Sequence, residues 1–184
     1  YALLQGGGLA PKSSYASYKS MLTDFMSYVN YFTPMIFAAL AVAVALRAGL
    51  FNIGVSGQML AAGFTASIVV GYSSLNAVLA KPLVVIIGLI VGGLVGALIG
   101  FLKYRFNINE VVSSIMLNYT FQYVISFFIN TFFVDPVSRQ SKEISVASRL
   151  TLMDTMVGNL KMDIPLGIIL ALLTVVAVWV MVGE

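Results

Sequence analysis

Apolar residues run through this chain in five long blocks separated by short polar interruptions, at roughly 31–50, 58–72, 82–102, 111–133 and 165–182. A helix needs about 20 consecutive apolar residues to cross the hydrocarbon of a bilayer. Four blocks meet that requirement, and 58–72 falls short of it. The pattern predicts an all-α fold: a polytopic transmembrane helical bundle of about five membrane segments, one of them short or discontinuous near Asn52–Gln58. Residues 1–30 are mixed in character, with Gly6-Gly7-Gly8, Pro11 and several serines ahead of the tyrosine-bearing stretch 18–28. They read as an extracellular or interfacial segment, with tyrosines at headgroup level. Residues 31–184 read as the transmembrane domain, and within it 134–163, the longest polar connection, reads as an extracellular loop.

The interruption Gly49-Leu50-Phe51-Asn52-Ile53-Gly54-Val55-Ser56-Gly57-Gln58 carries the most information. Unwound backbone between membrane-spanning segments must either meet water at the membrane face or line a cavity enclosed by protein. Gly54 and Gly57 permit backbone angles that other residues resist, while Asn52, Ser56 and Gln58 can satisfy freed backbone groups. A cytoplasmic hairpin turn accounts for these residues. A substrate-facing unwound segment also accounts for them, and additionally for the short block that follows.

Composition supports the bilayer as solvent, since 60% of the residues are hydrophobic and only 9% charged. The chain has no cysteine and no histidine. Disulfides, thiolate nucleophiles, zinc–thiolate sites and the usual general base are thereby excluded. The net charge of +3 comes from scattered basic residues, which is no nucleic-acid signature. Charge placement reports topology instead: Lys103 and Arg105 in the short loop before Glu110 place that loop in the cytoplasm. Alternation then puts the Asn52 break toward the inside and 134–163 outside. The chain starts at Tyr1 with no basic, then apolar, leader, and ends at Gly183-Glu184 in the wake of an apolar block. Both ends look like cuts, so a fragment of a longer membrane protein is expected.

Two four-residue rows stand out inside the apolar blocks. Gly88, Gly92, Gly96 and Gly100, with Gly93 beside them, suit close approach of another helix backbone. The second row is Glu110, Ser114, Asn118, Gln122, Ser126 and Asn130. Polar groups are expensive in hydrocarbon, so this row faces protein or water. It coats one wall of a hydrophilic passage or, equally, makes interhelical hydrogen bonds. Asn109 and Glu110 also read as a helix start, an N-cap followed by an acid in the first turn. No apolar block holds a central Asp, Glu, Lys or His, as a proton-coupled carrier would need, and no phosphate-cradling Gly-Lys-Ser/Thr loop is present. If transport is powered, the power comes from another chain.

The segment Ala48-Gly49-Leu50-Phe51-Asn52-Ile53-Gly54-Val55-Ser56-Gly57-Gln58-Met59 resembles a signature of ABC-importer permeases of the nucleoside and simple-sugar branch, related to the ribose and branched-chain amino-acid permeases. Asn109-Glu110-Val111-Val112-Ser113-Ser114-Ile115-Met116-Leu117-Asn118-Tyr119 is similar to that branch's asparagine–glutamate segment leading into a helix. The resemblance runs from about residue 31 to the end of the chain. Many relatives carry glutamate where Ser56 stands, so no acid role transfers to that position. The segment that docks on the ATPase has no match before Glu184.

The resemblance implies a multi-pass permease in the plasma membrane of a bacterium, not an enzyme, of which this chain is the N-terminal half. It implies an importer of nucleosides, with simple sugars as the alternative solute and a non-transport scaffold subunit as the alternative role. Its partners would be a second permease subunit, an ATP-binding subunit, an extracellular substrate-binding lipoprotein and the lipid bilayer. ATP would be bound by the separate subunit, with no cofactor in this chain. The substrate passage would be built from Phe51, Asn52, Ser56, Gln58, Ser114, Asn118 and Gln122.

Overall fold

A computed structural model describes residues 2–11, 20–135, 138–141, 143–157 and 160–182. The chain divides into two compact units, Ala41–Arg149 and Tyr1–Leu40 with Leu150–Glu184.

The unit Ala41–Arg149 holds the elements that frame the polar break. Helix α2 (Met21–Arg47) ends there in a Schellman closure. Gly49 takes φ +74°, the N–H of Leu50 reaches back to the carbonyl of Ala45 at 2.9 Å, and that of Gly49 bonds Leu46 at 3.0 Å. Glycine is favoured at this position because a Cβ clashes in the left-handed region. Helix α3 (Val55–Ala66) continues directly as a π-helical turn, Ser67–Gly71. Helix α4 (Ala77–Phe106) carries Lys103 and Arg105 in its last turn, where cations complement the helix dipole, and closes on Asn107 at φ 53°. Helix α5 (Glu110–Phe128) is capped by Asn109, whose side chain accepts the N–H of Val111 at 2.8 Å and of Val112 at 3.4 Å. It too runs on into a π-helical turn, Ile129–Phe133.

Helix α3 packs on both α4 and α5, and a 3₁₀ turn, Val146–Ser148, packs on α4. The contact between these helices is made of small or β-branched residues: Ala61, Ala66 and Val70, Ala80, Val95 and Ile99, Ser113, Ser114 and Ile125 are all buried. Small side chains permit the close backbone approach on which helix association in lipid depends.

In the other unit, α1 (Ala2–Gly6) and the first part of α2 are joined by an antiparallel hairpin of β1 (Thr151–Val157) and β2 (Leu160–Pro165), followed by α6 (Gly167–Val182). Thr151 donates its hydroxyl to Asn30 Oδ1 at 2.9 Å. Gly167 lies against Thr33, with 3.2 Å between the position of its Cβ and Thr33 Cγ2.

All five apolar blocks are helical, and most large apolar side chains on them face outward, Leu89 (72% exposed) and Trp179 (74%) among them. That is the surface of a protein dissolved in lipid. Met21–Arg47, Ala77–Phe106 and Glu110–Phe133 are long and apolar enough to cross a membrane, while Val55–Gly71 and Gly167–Val182 are shorter apolar helices.

The structure differs from the sequence expectation in extent. Helix α2 begins at Met21 and passes position 30, where a boundary with an interfacial segment was expected. Its polar residues do not interrupt it because their hydroxyls turn back onto the helix, Ser27 to the Thr23 carbonyl at 3.0 Å and Thr33 to that of Val29 at 2.9 Å. The expected interfacial stretch 18–28 begins outside the described residues, and its part from Met21 onward is α2. The 134–163 connection holds nearly all of the hairpin, the only paired strands among the described residues of an otherwise helical fold.

Candidate functional site

The polar break is shorter than the sequence suggests. Val55, Ser56, Gly57 and Gln58 already belong to α3, so the non-helical backbone runs from Ala48 to Gly54. The early helix start has a local cause. Asn52 Oδ1 accepts the N–H of Gly54 at 2.8 Å, folding the chain back just before the first helical residue, and Gln58 N–H then bonds the Gly54 carbonyl at 3.0 Å.

A side chain far along the sequence holds this segment in place. Asn118, in α5, accepts the Gly57 N–H through Oδ1 at 2.8 Å and donates from Nδ2 to the Ile53 carbonyl at 3.0 Å. One carboxamide thereby satisfies two backbone groups that an unwound segment leaves without helical partners. The approach requires glycine: a Cβ at Gly57 would stand 2.7 Å from Asn118 Oδ1 and 3.2 Å from its Cα. Gly54 is equally enclosed, with Ile99 Cδ1 at 2.7 Å and Ser114 Cβ at 3.3 Å from the position its Cβ would take. The break is therefore wedged between α4 and α5.

On the α4 side the break opens onto a cavity of about 130 Å³, lined in part by Phe51, Asn52, Gln58, Gly96, Gly100 and Glu110. Lys103 Nζ donates to Glu110 Oε1 at 2.7 Å, joining the end of α4 to the start of α5 across the Asn107 turn. The wall thus offers two carboxamides, one aromatic ring and one ion-paired carboxylate on an apolar surface. Such groups bind neutral polar solutes by hydrogen bonding. They supply no nucleophile–base pair, and among the described residues no cluster of metal-ligating side chains occurs. At about 130 Å³ the cavity lies below the roughly 300–1,000 Å³ usual for small-molecule pockets, so this wall alone does not enclose a solute.

The expected passage residues therefore separate into groups. Phe51, Asn52 and Gln58 share the cavity. Asn118 stands behind it as the clamp on the break. Ser114 is fully buried, its hydroxyl donating to the Val111 carbonyl at 3.0 Å within α5. Ser56 and Gln122 are exposed and do not line the cavity. The glycine row also divides. Gly96 meets Gln58 Nε2, 3.2 Å from where a Cβ would stand, whereas Gly88, Gly92, Gly93 and Gly100 have nothing within 4 Å. Sequence reasoning placed Glu110 at the helix start and at the head of the polar row; it stands at the start of α5 and on the cavity wall, and what was missed is its pairing with Lys103. The signal was available in the cation seven residues earlier, Lys103, on the far side of a short turn.

Residues 25–183 match the family described as the permease component of the branched-chain amino acid transport system. The guanosine ABC transporter permease protein of Bacillus subtilis is 37% identical over 158 residues, covering 85% of this chain and 44% of its own length. The nucleoside ABC transporter permease protein of Lactococcus lactis is 36% identical over 152 residues, covering 78% of this chain and 41% of its own length. A glucose ABC transporter permease protein of the archaeon Haloferax volcanii is 32% identical over 96 residues, covering 52% of this chain and 25% of its own length. The chain thus spans less than half the length of these curated relatives. No solved structure matches it.

Proposed function

Because this multi-pass membrane chain belongs to the branched-chain amino acid transport permease family, we propose that the protein containing it is the membrane-spanning permease subunit of an ATP-driven importer that translocates nucleosides. The observation that carries this reading is the Asn52 break itself: irregular backbone, clamped by Asn118 between membrane helices, presenting Phe51, Asn52 and Gln58 to a cavity. Broken helices whose backbone is enclosed by protein are how transporters contact solute at membrane depth. Nucleosides are favoured over other solutes by the names of the bacterial relatives. Simple sugars are the second reading, supported by the shorter match to an archaeal glucose permease.

In this reading the permease works with a second permease subunit, an ATP-binding subunit and an extracellular substrate-binding lipoprotein, in the plasma membrane of a bacterium. ATP is bound by the separate subunit. The last turn of α4 with Lys103 and Arg105, the 107–109 turn and the break face the cytoplasm, and the 134–163 connection lies outside. Ser56, Ser114 and Gln122 belong to the passage only where other helices complete it. The open glycines Gly88, Gly92 and Gly100 seat a neighbouring helix, since small residues in lipid mark close helix contacts.

The test is ATP-dependent uptake of radiolabelled nucleosides by the intact complex in proteoliposomes, competed with unlabelled nucleosides and pentoses. Uptake competed by nucleosides supports the reading. Uptake competed only by pentoses moves the solute to simple sugars. Absence of flux with every co-purifying chain present makes this a scaffold subunit.

A further inference from the structure

A second cavity lies in the Ala41–Arg149 unit, away from the polar break, and at about 270 Å³ it is twice the volume of the first. We propose that it is a separate binding site for a planar aromatic heterocycle, the free base or the base of a nucleoside. Four independent features converge there.

First, both π-helical turns of the described residues line it, Ser67 and Ile68 from the end of α3 and Ile129 and Phe133 from the end of α5. A π turn widens a helix at the expense of regular hydrogen bonding, and such turns concentrate at functional sites. Second, the walls are rings at fixed mutual angles. Tyr72 stacks on Phe133 with centroids 5.4 Å apart and planes 9° apart, and Phe64 stands edge-on to Phe133 at 6.2 Å and 90°. The rings pack on one another in the stacked and edge-on geometries aromatic pairs prefer, and the faces and edges left free offer a flat heterocycle the same two kinds of contact.

Third, Gly63 of α3 lines the cavity and has no heavy atom within 4 Å of where its Cβ would stand. Glycine weakens a helix interior relative to alanine. No packing among the described residues explains it, yet it leaves a flat floor against the helix backbone. Fourth, the space is closed on one side by Ser141 and Ile144. The Ser145 N–H bonds the Gly71 carbonyl at 2.9 Å, and Ile144 presses on Gly71, 2.9 Å from the position of its Cβ. Ser67 and Ser141 add hydroxyl groups for the polar edge of a base.

The assignment of the cavity stands on geometry; only the expectation that base-bearing solutes reach it rests on the proposed function. The test is equilibrium binding of radiolabelled adenine and adenosine to the full-length protein with its partners in nanodiscs, for the parent and for Gly63→Leu and Tyr72→Leu. Gly63→Leu projects into the open floor, its Cβ meeting no neighbour among the described residues, and Tyr72→Leu removes one stacking face. Each is expected to raise the dissociation constant of adenine and adenosine alike by about tenfold or more, with D-ribose failing to compete. Unchanged affinity in both variants overturns the proposal. So does displacement of adenine by oleate, which assigns the cavity to a lipid chain, and so does loss of partner co-purification by Gly63→Leu, which makes the glycine a helix contact. A parent that binds adenine yet transports no nucleoside contradicts the proposed function and leaves this site standing.

Discussion

Asn118 Oδ1 and the backbone N–H of Gly57 meet at 2.8 Å, joining the middle of α5 to the first turn of α3 across 61 positions of sequence. The other end of the same carboxamide holds the Ile53 carbonyl. This double contact turns a polar interruption, which in water would be a mobile turn, into a fixed wall inside a helix cluster. The capacity of the break to present Phe51, Asn52 and Gln58 at constant positions depends on it.

Replacing Asn118 with Leu removes both hydrogen bonds, the Ile53 one exposed, and leaves the amide of the buried Gly57 without its partner. A buried polar group left in that condition costs about 1–3 kcal/mol. Asn118→Leu is expected to lower the thermal unfolding midpoint of the full-length protein and to slow uptake, while Asn118→Asp, which keeps the acceptor for Gly57, lies between the two. A midpoint unchanged by Asn118→Leu would show that the clamp holds nothing.

Gly57→Ala attacks the same contact from the other side. Its Cβ would meet Asn118 Oδ1 at 2.7 Å and Asn118 Cα at 3.2 Å, and the latter is backbone that cannot rotate away. Overpacking of this kind costs about 1–3 kcal/mol, reduced by the better helix propensity of alanine. Because both substitutions break one interaction, the double variant Gly57→Ala/Asn118→Leu is expected to be less destabilised than the sum of the singles. Strict additivity in a thermal or denaturant double-mutant cycle contradicts the clamp.

At the start of α5 two neighbouring residues are expected to differ. Asn109 satisfies two orphan amides of the helix end, and Asn109→Ala should cost about 0.5–2 kcal/mol. The Lys103–Glu110 pair is partly open to solvent, at 36% and 18% side-chain exposure, where ion pairs contribute little to stability. Glu110→Gln is therefore expected to unfold close to the parent temperature. Its effect should fall instead on uptake, since the carboxylate lines the break cavity.

The existence and order of the helices were legible in hydrophobicity alone, because block length and lipid thickness leave few alternatives. Their ends were not. Ser27 and Thr33 hide their hydroxyls on their own helix, so α2 extends well beyond its apolar block. The β1–β2 hairpin was invisible within a polar connection whose strands carry mixed charge. At the site, the glycine and asparagine punctuation marked the break correctly, yet the role of Asn118 depended on a partner 61 residues away that no local pattern encodes. The four-residue polar row of α5 reads equally as one wall of a passage or as interhelical hydrogen bonding. In the fold that row is divided by burial, with Ser114 enclosed, Asn118 bonded to backbone and Gln122 exposed.

The glycine row of α4 yields a further expectation. Gly92 has nothing within 4 Å of its Cβ position among the described residues, so Gly92→Leu starts into open space. It should leave the unfolding of the chain itself unaffected and weaken its association with other membrane helices, seen as loss of co-purifying permease. Normal assembly of that variant would show that the open face is lipid-facing.

The claim on which the account turns is that the Asn52 break lines a route for solute. This chain contains no cysteine, so single cysteines at Phe51, Asn52 and Gln58 report their own surroundings against a silent background here. The measurement is the rate of modification of Asn52→Cys by a charged, membrane-impermeant thiol reagent in the intact reconstituted complex, with and without adenosine. The account expects modification from the aqueous phase that adenosine slows, with Met116→Cys on the exposed face of α5 unreactive. Modification of Asn52→Cys at a rate indifferent to every nucleoside and pentose tested, or no modification at all, would contradict it.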